Sequence, residues 1–507
     1  MTVTHRLPRS AALFFLLAIG LVRVLAAADY VTSQSKPPEP LREFRGAWVA
    51  TVANIDWPSR PGLPQAQLQA ELLAILDRAV ALRLNAIVLQ VRPACDALYA
   101  SELEPWSEFL TGQEGRAPEP LWDPLEYAVH ESHQRGLELH AWFNPYRARH
   151  ASAKGPAAAN HISRTRPDLV RTCGSYLWLD PGEADVRAHS LRVILDVVRR
   201  YDLDGVHMDD YFYPYPSYLG KDDQGKDRDF PDDPSWQKYT AGGGTLTRDD
   251  WRRENVNQFV RELFDGVHQV KPWVKVGLSP FGIWRPGNPP RIKGFDQYAS
   301  LYADARLWLN EGWIDYFTPQ LYWAREPAEQ SFTALLAWWA QENGKQRHLW
   351  PGISTGRAER WGAAEIVEQI RLTRDTPHSR GVVHWNMSAL MKNTNGVSDA
   401  VAREAYTQPA LVPASPWLDA TPPAKPALKL RTASAATTVF FEWHAGQGDT
   451  PTSWILQTRR SGAWTTQILP ITTLHWAPAA DAEPEVVALY AADRAGNLSE
   501  PAVLERR

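Results

Sequence analysis

The sequence predicts a parallel (β/α)8 barrel of the TIM type followed by a small all-β sandwich, and three observations carry that prediction. Eight short β-rich runs recur between residues 44 and 387. A segment of helical period follows each of them. Past a proline-rich stretch near residue 410 the helical period gives way to short alternating runs with turn signals between them.

The runs are "FRGAWVATV" (44–52), "AIVLQVRP" (86–93), "ELHAWFNP" (138–145), "GVHMDDY" (205–211), "KVGLSPFG" (275–282), "IDYFTPQLYW" (314–323), "HLWPGIS" (348–354) and "GVVHWNM" (381–387). Eight is the number that closes a barrel, whereas an open doubly wound sheet would leave its edges unprotected. Between the first two runs, Leu68, Leu72, Ile75, Leu76, Ala79 and Leu82 fall on one helical stripe. The next helix carries its own punctuation: Asp123 to cap, Pro124 for the first turn and Gly136 for the stop. Further periodic runs occupy 183–200, 250–270, 298–311, 326–343, 361–374 and 398–406. The barrel is therefore placed at 42–408, with long loops after the third and fourth strands. The acidic loop around 221–250 lacks the alternating oxygen pattern of a calcium site and reads as a solvated, glycine-rich loop.

Residues 409–420 form a linker, and 421–507 read as the sandwich, with runs such as "TTVFFEWHA" and "SWILQTRR". Its final run, "VVALYAADRAGNLSEPAVL", resembles the last strand and turn of a fibronectin type III domain. At the other end, Arg6 and Arg9 precede an apolar run from Ala11 to Val22 and small residues at Ala26 to Ala28. That is the pattern of a secretory signal over 1–28, cut before Asp29, with 29–41 as a spacer. The apolar run is shorter than the roughly 20 residues of a bilayer span and is broken by Arg23. Export to the periplasm or cell surface is expected, with no stable membrane insertion after cleavage.

A net charge of −4 gives no support for a nucleic-acid partner. Only Cys95 and Cys173 occur, too few for a disulfide scaffold, and their pairing stays open. The 23 tryptophans and 17 tyrosines suit the apolar faces of sugars as well as a core.

In a barrel of this type the site lies at the carboxyl ends of the strands. Those ends carry Asn54, Asp56 and Trp57; Arg92 and Asp96; His140, Asn144 and Tyr146; Asp209, Asp210 and Tyr211; Ser279 and Trp284; Gln320, Tyr322 and Trp323; Trp385 and Asn386. Carboxylates there must be solvated, paired or used. Strand parity puts Asp209 on the inward face with His207 and turns Asp210 towards the loops; the reverse is the alternative. Asp209 is the candidate charge-stabilising group or nucleophile, and Asp210 or Asp96 the candidate acid. Arg92, His140, Asn144, Tyr146, His207, Tyr211, Gln320, Tyr322, Trp323 and Trp385 are the candidate substrate contacts. His140, His207 and Asp209 have no recognised zinc spacing, and no phosphate-cradling glycine loop precedes a helix, so neither metal nor other cofactor is expected.

The motifs "FRGAWVATVANIDWPS", "VRPACDALYASELEPWS", "HAWFNPYR", "LDPG", "DGVHMDDYFYPYP", "GLSPFGIWR" and "IDYFTPQLYW" resemble, in that order, the exported bacterial glycosyl hydrolase-like proteins of family ten. That family includes a glycosidase of peptidoglycan strands stripped of peptides. The resemblance implies glycosidic-bond hydrolysis, a polysaccharide substrate, and association with the cell wall or division machinery. "DGVHMDDY" is also similar to the chitinase-type DGxDxDxE strand, but Tyr211 stands where that pattern has its acidic glutamate, and the fifth strand carries no carboxylate. A non-catalytic carbohydrate-binding barrel is the alternative, and paired acids at the cleft speak against it.

Overall fold

The computed structural model describes residues 29–507 apart from 327, 433–438, 449 and 480–481. The expected secretory segment, 1–28, lies outside the described residues.

The barrel strands are Phe44–Val49, Ala86–Arg92, Glu138–Phe143, Gly205–Met208, Lys275–Leu278, Tyr316–Phe317, the pair His348–Leu349 and Gly352–Ser354, and Gly381–Trp385. All neighbours pair in parallel. The hydrogen-bonded ladder begins at His348–Leu349 and ends at Gly352–Ser354, which are halves of one strand parted by Trp350 and Pro351. Its nine segments are thus eight strands, and the ladder closes on itself. The fold is an α/β barrel.

Most strand residues are buried because each strand is covered twice. Outside, helices such as Gln65–Ala81, Pro124–His133, Ala184–Arg200 and Arg248–Val270 lay apolar stripes on the sheet. The Pro124–His133 helix starts as its sequence predicts, the Asp123 carboxylate accepting from the amides of Leu125 and Glu126. Inside, Phe44, Trp48, Val88, Trp142, Tyr316 and Trp350 form a second, separate core. Two strand glycines make room for it. A Cβ at Gly277 would lie 1.9 Å from the Tyr316 ring, and one at Gly205 would lie 2.2 Å from Nδ1 of His140.

The long loop after the third strand folds into a small antiparallel sheet, Arg147–Arg149, Tyr176–Leu179 and Val170–Cys173. The acidic loop after the fourth is not simply solvated. Arg252, itself buried, holds Asp232 at 2.6 Å and Asp229 at 2.9 Å, and Asp232 is wholly buried. Cys95 and Cys173 are both free and buried.

Residues from Ala427 onward form two antiparallel sheets joined by a shared core of Phe441, Trp443, Trp454, Leu456, Val487 and Leu489. The stretch expected as a spacer contributes to them: Tyr30–Thr32 pairs with Leu504–Arg506 as the sheet's edge strand. This sandwich lies against the amino-terminal end of the barrel. Arg494 pairs with Asp202 at 2.6 Å, and Leu411 packs with Ile455 and Tyr490.

Candidate active site

The fourth strand ends at Met208, and the strict alternation of side chains ends with it. Asp209 turns to the end of the third strand. Its Oδ2 accepts from Nε1 of Trp142 at 3.0 Å, and both of its oxygens lie 3.3 Å from Nδ2 of Asn144. The Asn144 amide oxygen accepts from the backbone of Arg147 at 2.8 Å, so one side chain fixes both the carboxylate and the loop beyond it. Asp210 turns the other way, accepting from the Tyr215 hydroxyl and the Gln320 amide. Gln320 is itself held by a bond to the Ser279 carbonyl at 2.8 Å.

Both carboxyl groups are almost fully covered, Asp209 at 4% exposure and Asp210 at 5%. Burial pushes Asp209 up to about 7; Arg147 and the bonds from Trp142 and Asn144 oppose the shift, and the charge of Asp210 adds to it. Burial also raises Asp210, against Tyr215, its own backbone amide, Gln320 and Arg147. The two carboxyl groups thus differ in their partners: indole and amide donors meet Asp209, while hydroxyl, amide and backbone donors oppose the rise at Asp210.

Partly exposed rings surround the pair. Trp385 packs edge-on against Trp48 at 5.9 Å and Trp142 at 6.3 Å, with Tyr322 6.5 Å away at 29°. Trp323 meets Phe281 at 5.7 Å, and Tyr211 lies among Tyr215 and Tyr218. The structure thus brings Asp209, Asp210, Asn144, Tyr211, Gln320, Tyr322, Trp323 and Trp385 to one rim.

Five expected site residues lie elsewhere. His140 and His207 are wholly buried inside the barrel, both bonded to the Tyr316 hydroxyl, at 2.9 and 3.0 Å. The Trp48 indole can only donate, so Nε2 of His207 accepts from it at 3.1 Å and the ring is neutral; burial holds its pKa well below the ordinary value. The two histidines support the floor of the cleft from below. Tyr146 faces outward to Phe259 of the Arg248–Val270 helix, because the chain has left the strand before it. Arg92 is consumed by an ion pair with Glu104 at 2.5 Å and a bond to the Asn144 carbonyl. Asp96, pushed up to about 6 by burial, bonds the Ala94 amide and Ser107 beside Glu114 and His161, and no described contact joins it to Asp209 or Asp210.

Three contributors went unselected: Trp142, Tyr215 and Arg147. Trp142 shares strand parity with His140 and Asn144, which was a usable signal. Tyr215 sits in a loop and Arg147 opens the short Arg147–Arg149 strand beyond the barrel, where barrel parity says nothing.

Residues 43–361 match the family described as Glycosyl hydrolase-like 10. The chain is 39% identical over 400 residues to Glycosyl hydrolase YngK of Bacillus subtilis (strain 168), covering 76% of each protein. It is 32% identical over 394 residues to Glycosyl hydrolase DigH of Escherichia coli (strain K12), covering 71% of this chain and 87% of that one. Among solved structures, the PgaB (BpsB) glycoside hydrolase domain from Bordetella bronchiseptica matches at 13% identity and a TM-score of 0.44, over 72% of this chain and 99% of that one.

Proposed function

This chain belongs to the glycosyl hydrolase-like 10 family and is a glycan-cleaving hydrolase; we propose that it is exported and cleaves an amino-sugar polymer of the bacterial cell wall, namely peptidoglycan strands lacking peptides. The observation that carries the catalytic assignment is the Asp209–Asp210 pair: two adjacent buried carboxyl groups with separate partners, one raised to about 7. Glycoside cleavage needs a proton for the leaving oxygen and a carboxylate for the positive charge that develops on the sugar. Asp209 is the proton donor and Asp210 the charge-stabilising group. That division is the reverse of the one strand parity suggests, and it rests on where the donors lie.

Trp385 beside Trp142, Tyr322 facing Trp385, and Tyr211 beside Tyr215 offer apolar faces to sugar rings. Export and a periplasmic or surface location rest on the sequence pattern of 1–28, and association with the cell wall or division machinery on the family resemblance. The C-terminal sandwich is a fibronectin type III-like module, a reading supported by its two packed antiparallel sheets and by the "AGNLSEP" turn before its last strand.

Purified protein incubated with peptide-free and with peptide-bearing glycan strands, followed by mass spectrometry of the released ends, tests the substrate. New ends from peptide-free strands are expected, falling by about three orders of magnitude in Asp209→Asn, the scale of lost general acid catalysis. Binding without new ends from any amino-sugar polymer would make the protein a carbohydrate-binding barrel instead.

A further inference from the structure

Among the described residues four arginines are buried: Arg45, Arg92, Arg147 and Arg252. Three are ion-paired, Arg45 with Glu43, Arg92 with Glu104, and Arg252 with Asp229 and Asp232. Arg147, 2% exposed, has no carboxylate within 4.0 Å among the described residues. Its Nε donates to the Pro93 carbonyl at 3.0 Å, and its guanidinium carbon lies 4.9 Å from the centre of the Tyr211 ring. Nη2 is buried and has no hydrogen-bond partner among the described residues. A guanidinium cannot shed its proton to escape this, and a buried cation without an anion in contact is costly.

The place of this unmet donor matters. Asp209 and Asp210 both feel the charge of Arg147, yet one is turned to Trp142 and Asn144 and the other to Tyr215 and Gln320. The guanidinium is thus held on one edge by a carbonyl and on one face by a ring, with a donor left over beside the reacting groups. That is the arrangement in which arginine receives a planar anion. We propose that Arg147 binds a carboxylate carried by the glycan next to the scissile bond, and so selects acidic over neutral sugar polymers. The proposal rests on the glycosidase reading above. A bound anion at this position also helps Asp209 keep its proton, which joins selection to catalysis.

The test needs no variant at first: peptide-free glycan strands are compared with the same strands after chemical reduction of their carboxylates to alcohols. The expected kcat/KM is about 10- to 100-fold higher on the native strands, the scale of a hydrogen bond to a charged group. Arg147→Gln, confirmed as folded by near-UV circular dichroism, lowers turnover of both and brings the ratio to about one, while Arg147→Lys keeps part of it. Equal rates of the parent on both strands, or a folded Arg147→Gln that keeps the parent ratio, would overturn the proposal. If no strand is cleaved, the glycosidase reading fails on its own. Calorimetric binding of native and reduced strands by the parent then decides the role of Arg147, and equal or absent binding counts against it.

Discussion

Replacing Asp209 with Asn removes a titration that the fold opposes, so it stabilises the protein at alkaline pH while it destroys activity. Burial moves this carboxyl from 3.8 to about 7, roughly 3 pH units, and each unit corresponds to about 1.4 kcal/mol. The folded chain holds the Asp209 proton more tightly than the unfolded chain does. The stability from this group is therefore complete below about pH 4 and is lost as the pH rises through about 7, a difference of about 4 kcal/mol. Asn carries no charge to desolvate. It keeps one acceptor for Trp142 or Asn144 and forfeits the other, at about 1 kcal/mol. The net gain is about 3 kcal/mol near pH 8. It vanishes or slightly reverses near pH 4, where the parent carboxyl is already protonated. Calorimetric melting temperatures of parent and variant, measured at intervals between those limits at constant ionic strength, read this directly. A variant-minus-parent difference that stays flat with pH would refute both the protonated state of Asp209 and the acid role built on it.

Activity of the parent should fall as the pH rises through about 7, since the acid form of Asp209 is then lost; a profile still climbing well above that pH would exclude it as proton donor. Tyr215→Phe withdraws a donor from Asp210, so its pKa rises and the acidic limb of the pH–rate profile moves up, with turnover about 10-fold lower near neutrality, readable from the profile itself. Trp385→Ala should weaken glycan binding by about 1–3 kcal/mol with little change in melting temperature; a large loss of stability with normal binding would return the ring to the core. Deleting 421–507 leaves the Tyr30–Thr32 strand unpaired and uncovers Leu411, so the truncated chain should melt lower or aggregate on size-exclusion chromatography, and a soluble product with the parent melting temperature would contradict this.

The barrel was legible because its signals are local and repeated. Every strand is an apolar run covered on both faces, every major outer helix shows its stripe, and eight repetitions leave little freedom in how they assemble. The sandwich was legible by texture, but its edge strand was not. Tyr30–Thr32 is three residues long and finds its partner more than 470 residues away, at Leu504–Arg506, and nothing within three residues encodes so distant a register. The buried Asp232 was missed for a related reason. Its run of acids looks solvated until Arg252, on the Arg248–Val270 helix, is folded against it.

Within the site, parity worked while the chain was still a strand and failed one residue later. It gives His207 and Asp209 one inward face, but depth along the axis is invisible to it. His140 and His207 point inward as well, and end in the closed interior because Gly205 and Gly277 open space there for His140 and Tyr316. Parity separates Asp209 from Asp210, but both end at the cleft because the ladder stops at Met208. Roles follow donors rather than faces, and the donors to Asp210 come from a loop tyrosine and from Gln320 on the sixth strand's extension. Arg147 shows the limit most plainly. In "HAWFNPYRAR" it is one of two arginines on a short strand, and what sets it apart is that Asn144 pins its amide while Pro93 takes its Nε, leaving Nη2 unmet. An unmet donor is a relation among three segments of the chain, so it becomes visible only when the fold has brought them together.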